Sequence, residues 1–288
     1  MLNRIKELLA KQGITLAAPI SLSHCTIQRP YLLQKAEIPE TGSAVIFAIP
    51  YYSKINSTER NCSRYAVGQD YHLFVEYLSQ QILPPLQKEF PENRFAMFAD
   101  HSPLDERIAA ALAGLGIIGK NGLLITEDYS SYVFLGEIVT DGTLCASKSV
   151  PESVPTCHNC GACLAACPWK QGSCVSCLSQ LTQKKGKLTS EECEQLARYG
   201  SAWGCDICQE ACPYTLRAIA KNTIETPIPF FKEGLLPHLT YRQIQDMSDA
   251  DFTSRAYAWR GREVILRNLE ILEGNNEKEQ SNTHLGKK

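Results

Sequence analysis

Apolar residues recur along this chain with two different periods. In MLNRIKELLAKQG, Leu2, Ile5, Leu8 and Leu9 stand at helical spacing among Arg4, Lys6, Glu7 and Lys11, which predicts an amphipathic helix stopped by Gly13. SAVIFAIPYY, residues 43–52, is a continuous apolar, β-branched and aromatic run that predicts a buried strand. RYAVGQDYHLFVEYLSQQILPPL then places Tyr71, Phe74, Val75, Leu78 and Ile82 at helical spacing, and the helix is expected to end at Pro84 and Pro85. FAMFAD, residues 95–100, predicts a short strand. Ser102 and Pro103 read as the N-cap and first residue of a helix running to Ala113, with Asp105 completing a capping box. GLLIT and YVFLGEIV predict two more strands.

Beyond residue 144 the pattern changes. Residues 145–225 hold too little apolar periodicity to build a core of their own, so bound metal is expected to stabilise them. Two helices are predicted around 241–258 and 262–273, and the polar stretch from 275 to 288 is expected to be a disordered tail. The chain thus reads as α+β: an α/β domain over 1–144, a small inserted domain over 145–225, and a helical segment over 226–274 packing on the core. The longest uncharged apolar stretch, IAAALAGLGIIG at 108–119, falls short of the ~20 residues of a membrane span, and the N-terminus has no export signal. A cytoplasmic protein is expected. The formal net charge of -2 supplies no global positive field for nucleic acid, so any such contact must be local.

Thirteen cysteines change the picture, because ten of them fall between residues 157 and 212. Cys157, Cys160, Cys163 and Cys167 with Pro168 spell C-x2-C-x2-C-x3-C-P, the run in which three thiolates wrap one 4Fe-4S cluster and the fourth turns to another. Cys205, Cys208 and Cys212 with Pro213 repeat the end of that pattern. Interleaving assigns Cys157, Cys160, Cys163 and Cys212 to a first cluster, and Cys167, Cys205 and Cys208 to a second. The second set needs one more thiol from Cys174, Cys177 or Cys193, of which Cys177 is favoured. Paired zinc sites also begin with C-x2-C, but two C-x3-C-P endings have no purpose in a tetrahedral site.

Two other motifs need weighing. GLGIIGK contains G-x-G-x-x-G, yet it follows a helical run instead of a strand, and Asn121 stands where a P-loop needs Ser or Thr. A glycine-rich helix end leading into a closely packed strand is the expectation. Asp100 lies at the end of an apolar strand. Desolvation there would let it keep a proton and act as a general acid; the alternative is a surface Asp bonded to the amides of the next turn. His101 is open to both kinds of role.

In combination, ADHSPLDERIAAALAGLGIIGKNGLLIT, YVFLGEIVTD, CHNCGACLAACP, CLSQLTQKKG and YGSAWGCDICQEACP resemble the epoxyqueuosine reductase family, with RYAVGQDYH and AWRGREVILRN as further pieces. The resemblance spans about residues 44–270 and implies an oxidoreductase that uses cobalamin and two 4Fe-4S clusters to remove the epoxide oxygen of epoxyqueuosine in tRNA. It implies an external low-potential electron donor and Asp100 as proton donor. It also implies Cys177 as the ligand completing the second cluster, and Lys185 as an approach to tRNA. Ser63, or Cys62 in a shifted register, together with Leu124, Leu135, Leu178, Ile207 and Cys208, fall where that family lines its cobalamin. Alternatives with the same cofactors are a reductase of a small epoxide or halogenated compound; a two-cluster electron carrier without corrinoid is a third. The C-terminal helical repeats common in the family have no counterpart after AWRGREVILRN.

Overall fold

The apolar run at Ser43–Pro50 is the strand on which the N-terminal half is built, with every residue buried. The computed structural model describes residues 1–55, 60–144, 149–168 and 177–285, and of these no side chains at 177 or 275–285. In chain order the elements begin with α1 (Leu2–Lys11), β1 (Ala17–Ser21), α2 (Pro30–Lys35), β2 (Ser43–Pro50), α3 (Tyr71–Glu89), β3 (Phe95–Phe98) and α4 (Glu106–Leu112). Strands β4 (Ile117–Ile118), β5 (Leu124–Ile125) and β6 (Val133–Thr140) follow, then α5 (Ala162–Ala166), α6 (Cys177–Gln183), α7 (Ser190–Tyr199), α8 (Ile207–Glu210) and α9 (Pro213–Ala220). The last are α10 (Tyr241–Asp246), α11 (Asp249–Thr253) and α12 (Arg262–Leu285).

These elements pack as two units, each drawn from three chain segments, unlike the linear division into 1–144, 145–225, 226–274 and 275–288 expected above. Unit one is Met1–Tyr52, Tyr71–Gly172 and Cys208–Phe230; unit two is Ser53–Asp70, Ser173–Ile207 and Phe231–Lys288. The fold class is α+β. In unit one the sheet runs β1-β2-β6-β3 with every pairing antiparallel. Helix α4 lays Ala109, Ala110 and Ala111 on the face carrying Ala44, Ile46, Leu135 and Val139, and the small side chains allow the close approach. Period-two alternation puts Glu137 on that same face. Gly136 is required by the opposite face, since a Cβ there would lie 2.6 Å from the Phe47 ring.

Several boundaries differ from the expectation for identifiable reasons. Helix α3 continues through Pro84 and Pro85 to Glu89 because Leu78, Ile82 and Leu86 form one buried stripe. The carbonyls that the prolines leave without partners belong to the exposed Gln80 and Gln81, where water reaches them. Asp105, not Ser102, caps α4, accepting from Ile108 N at 3.3 Å. Ser102 instead accepts from Leu104 N at 2.9 Å and donates to Glu137. The expected 241–258 helix is two helices, with Ser248 capping the second. The backbone of α12 is helical to Leu285, where a disordered tail was expected from 275. In the GLGIIGK stretch, Gly114 takes φ +84 after α4, and β4 and β5 form a hairpin.

Unit two gathers its core around Trp203, Tyr257, Leu196, Ile265 and Leu269. Trp203 Nε1 donates to Tyr65 Oη at 2.7 Å. Asn268 Nδ2, on α12, donates to the carbonyls of Thr182 and Ala202 at 2.7 and 2.8 Å, so the polar end of AWRGREVILRN ties α12 to α6 and to the segment that leads into Trp203.

Candidate active site

Asp100 closes the β3 end of the sheet in unit one, and the structure brings it to a cleft of about 210 Å³ whose lining includes Leu124, Leu135, Tyr71, Phe134 and Glu106. Three residues assigned from widely separated sequence stretches therefore share one wall. Tyr71 and Phe134 stack at 4.0 Å with planes 9° apart and extend it as a flat apolar surface. The desolvation expected at Asp100 is absent: its side chain is 74% exposed, with His72 Nε2 3.9 Å from Oδ2. Nor does its carboxylate cap the following turn. Its own backbone N–H donates to Glu106 Oε1 at 3.1 Å, and its φ is +61, in the left-handed region. His101 turns away to Tyr31 Oη, with Nε2 at 2.8 Å.

Behind Asp100 lie two carboxyl groups that sequence reasoning passed over. Glu137, on β6, is fully buried. Burial pushes its pKa well above the ordinary carboxyl value, reinforced by the negative charge of Glu106. Burial likewise raises Glu106 to about 7. An unfolded chain would release both protons near 4.5, so between that value and about 7 the folded state holds more protons. Stability is therefore expected to fall as pH rises through this window. Comparing urea unfolding at the two ends, the wild type should lose of the order of 2 kcal/mol more than Glu137→Gln. Parallel pH profiles for the two proteins would show that the pair is ionised when folded.

In the same unit Cys157, Cys160, Cys163 and Cys212 line one small cavity with Asn121, His158 and Tyr214. Among the described residues no three His, Cys, Asp or Glu side chains converge closely enough to hold a single ion. The four thiols line one cavity although Cys212 comes from a distant stretch, and the cysteine donor set is all sulfur as a 4Fe-4S cluster requires. Asn121, the residue that spoils the P-loop pattern, sends Nδ2 toward Cys208 Sγ at 3.7 Å. Cys167 and Cys208 belong to unit one and Cys205 to unit two. Cys177 opens α6 with its side chain outside the described residues, and Cys174 lies outside them altogether. Cys193, the third sequence alternative, sits on α7. Burial pushes the Cys25 and Cys62 thiols up to about 12, so both stay neutral.

In unit two Ser63 is buried and its hydroxyl donates to Asp206 Oδ1 at 2.5 Å. Arg60 Nη1 and Arg64 N donate to Asp206 Oδ2 at 2.8 and 2.7 Å. Gly204 faces this network at φ +70, and a Cβ there would come within 2.6 Å of Ser63 Cβ. Leu178 is buried and Ile207 half-buried. Lys185 is exposed in the turn between α6 and α7. Arg267 Nη1 holds that turn by donating to the carbonyls of Lys184 and Gly186 at 2.6 and 2.5 Å. Sequence reading missed Asp206 and Arg267 as well as the Glu106–Glu137 pair. A lone acid inside YVFLGEIV was the available signal for Glu137.

The family model described as "Epoxyqueuosine reductase QueG, DUF1730" matches residues 34–101. An epoxyqueuosine reductase from Gloeobacter violaceus is 33% identical over 226 residues, which cover 75% of this chain and 69% of that protein. One from Lactococcus garvieae is 31% identical over 74% of this chain and 61% of its own, and one from Synechocystis sp. 30% identical over 75% and 76%. The solved epoxyqueuosine reductase from Streptococcus thermophilus superposes with a TM-score of 0.72 at 24% identity, over 94% of this chain and 80% of that one. Another, solved with an epoxyqueuosine-modified tRNA stem loop, gives 0.72 at 23% identity over the same shares.

Proposed function

Because the chain belongs to the epoxyqueuosine reductase family of oxidoreductases, we propose that it removes the epoxide oxygen of epoxyqueuosine in tRNA to give queuosine. The observation that carries this reading is the cleft of unit one, where Asp100, Leu124 and Leu135 meet although they are far apart in sequence. Its apolar wall fits a large flat ring such as a corrin. Leu124 and Leu135 would hold cobalamin there, with Ser63, Leu178, Ile207 and Cys208 assigned to it by resemblance. Cys157, Cys160, Cys163 and Cys212 would hold one 4Fe-4S cluster, and the sequence pattern assigns Cys167, Cys177, Cys205 and Cys208 to a second. When bound, these groups supply low-potential electrons, drawn from an external donor.

The protein's own part is binding, exclusion of water and proton delivery. An epoxide opened without an acid would leave an alkoxide, a poor leaving group. Asp100, whose exposed carboxylate can take up a proton from water, would pass it to the departing oxygen and so remove that barrier, and such catalysis contributes ~10²- to 10⁴-fold. His72 Nε2 stands 3.9 Å from that carboxylate. Lys185, displayed by a turn that Arg267 holds, would meet the tRNA backbone as a point charge. Among the described residues no helix is long and apolar enough to cross a membrane, and a cytoplasmic site of action would give access to tRNA.

The test is an anaerobic assay of reconstituted protein with cobalamin, reductant and tRNA carrying epoxyqueuosine, followed by nucleoside analysis. Queuosine should appear, and cobalamin should stay with the protein through gel filtration. Retention of cobalamin with turnover only of small epoxides would replace the substrate, whereas failure to bind cobalamin at all would leave an electron carrier.

A further inference from the structure

Two carboxyl groups can hydrogen-bond to each other only with a proton between them, because two carboxylates offer nothing but acceptors. Glu106 on α4 and Glu137 on β6 face each other where α4 packs on β6, each carboxyl acting on the other. Glu137 is fully buried; Ser102 Oγ donates to Oε1, and among the described residues Oε2 has no N–H or hydroxyl donor. A bare carboxylate oxygen in that place would be costly, and a proton shared with Glu106 removes the cost. On its other side Glu106 Oε1 accepts the Asp100 backbone N–H at 3.1 Å, and Asp100 is held at φ +61, which a residue with a side chain adopts at a penalty unless its surroundings fix it.

We propose that Glu106 and Glu137 share one proton and act as positioning residues for Asp100, fixing the left-handed turn that presents its carboxyl to the cleft. The role of Asp100 rests on the function proposed above; the shared proton does not. Among the described residues the charged and titratable groups around the pair are Arg29, Asp100, Cys25 and, in the lining of the same cleft, Arg107. Arg29, whose Nη1 donates to the Ser102 carbonyl at 3.0 Å, is the cation that faces Glu106. Asp100 faces Glu106 as a like charge, and Cys25, a neutral thiol, faces Glu137. Arg29 is already bonded to the Ser102 carbonyl and no cation reaches the fully buried Glu137 among the described residues, so two charged carboxylates side by side would be poorly balanced and one carboxyl keeps its proton. Loss of that proton would set two buried carboxylates against each other, and Glu106 would release the Asp100 turn.

Two measurements on the full-length chain test this without substrate. Infrared difference spectra at neutral pH should show a protonated carboxyl band that disappears in Glu137→Gln, a near-isosteric change that preserves a donor to Glu106. Hydrogen exchange of the Asp100 amide should be ~10-fold faster in Glu106→Ala and return toward wild type in Glu106→Gln, whose amide oxygen still accepts the bond. In the reconstituted enzyme Glu106→Ala should lower kcat by about 10²-fold with KM unchanged, and Glu106→Gln should recover most of it. Absence of the band at neutral pH, an Asp100 amide indifferent to Glu106→Ala, or a Glu106→Gln protein as impaired as Glu106→Ala would each overturn the proposal. A wild-type protein that does not form queuosine would sink the proposed function while leaving the infrared and exchange results on the pair unaffected.

Discussion

Asp100→Asn is expected to abolish turnover, lowering kcat by roughly 10²- to 10⁴-fold, while iron content and cobalamin retention stay at wild-type levels. Asn keeps the size of the side chain and can still accept and donate hydrogen bonds, but its amide releases no proton at neutral pH. The contrast with a structural role is sharp here. The Asp100 carboxylate is 74% exposed and stands 3.9 Å from His72, so its replacement removes no buried partner and should leave folding within a few tenths of a kcal/mol. The backbone contact to Glu106 does not depend on the side chain and survives the change. Single-turnover nucleoside analysis of a cluster- and cobalamin-replete variant decides the matter. Near-normal queuosine formation would remove the acid role and pass it to His101, whose ring would first have to leave Tyr31.

How far such a site can be read from the sequence depends on which interactions are local. The buried strand at Ser43–Pro50 and the helix at Leu2–Lys11 were legible because each rests on one periodicity within a single segment. The end of α3 was not, since the gain from burying Leu86 outweighs two prolines and lies outside any propensity scale. Ser102 carries a good capping signature, yet its hydroxyl is taken by Glu137, thirty-five residues away on a strand. The same kind of separation hid the Glu106–Glu137 pair: both residues stand in stretches that carry the resemblance, ADHSPLDERI and YVFLGEIVTD, but only the packing of α4 on β6 brings them together. Asp100 shows both sides. Its position was readable from resemblance, whereas the exposure of its side chain and its left-handed backbone depend on the partner it finds in Glu106. The chain's division into two units built from alternating segments is likewise a tertiary outcome, without composition breaks to announce it.

Anaerobically prepared protein should contain about eight irons per chain, in two groups of about four, and Cys212→Ser should lose one of those groups. Cys212 is buried and joins Cys157, Cys160 and Cys163 around one cavity, although it comes from a distant stretch of the chain. A serine oxygen is a poor substitute for a thiolate toward iron. The consequence should extend to stability, because α5, which carries Cys163, buries none of its side chains. Val150 and Val154 pack on the core of unit one, but the cysteines beyond them depend on the bound group to stay in place, so Cys212→Ser should also lower the thermal midpoint and expose 157–168 to protease. The second set separates in the same way: Cys177→Ser should cost about four irons and Cys174→Ser none. The reverse result would move the ligand assignment to Cys174, and loss in neither would move it to Cys193. Stoichiometric zinc in place of iron, with all the thiols intact, would overturn the reading of the C-x3-C-P endings on which both sets rest.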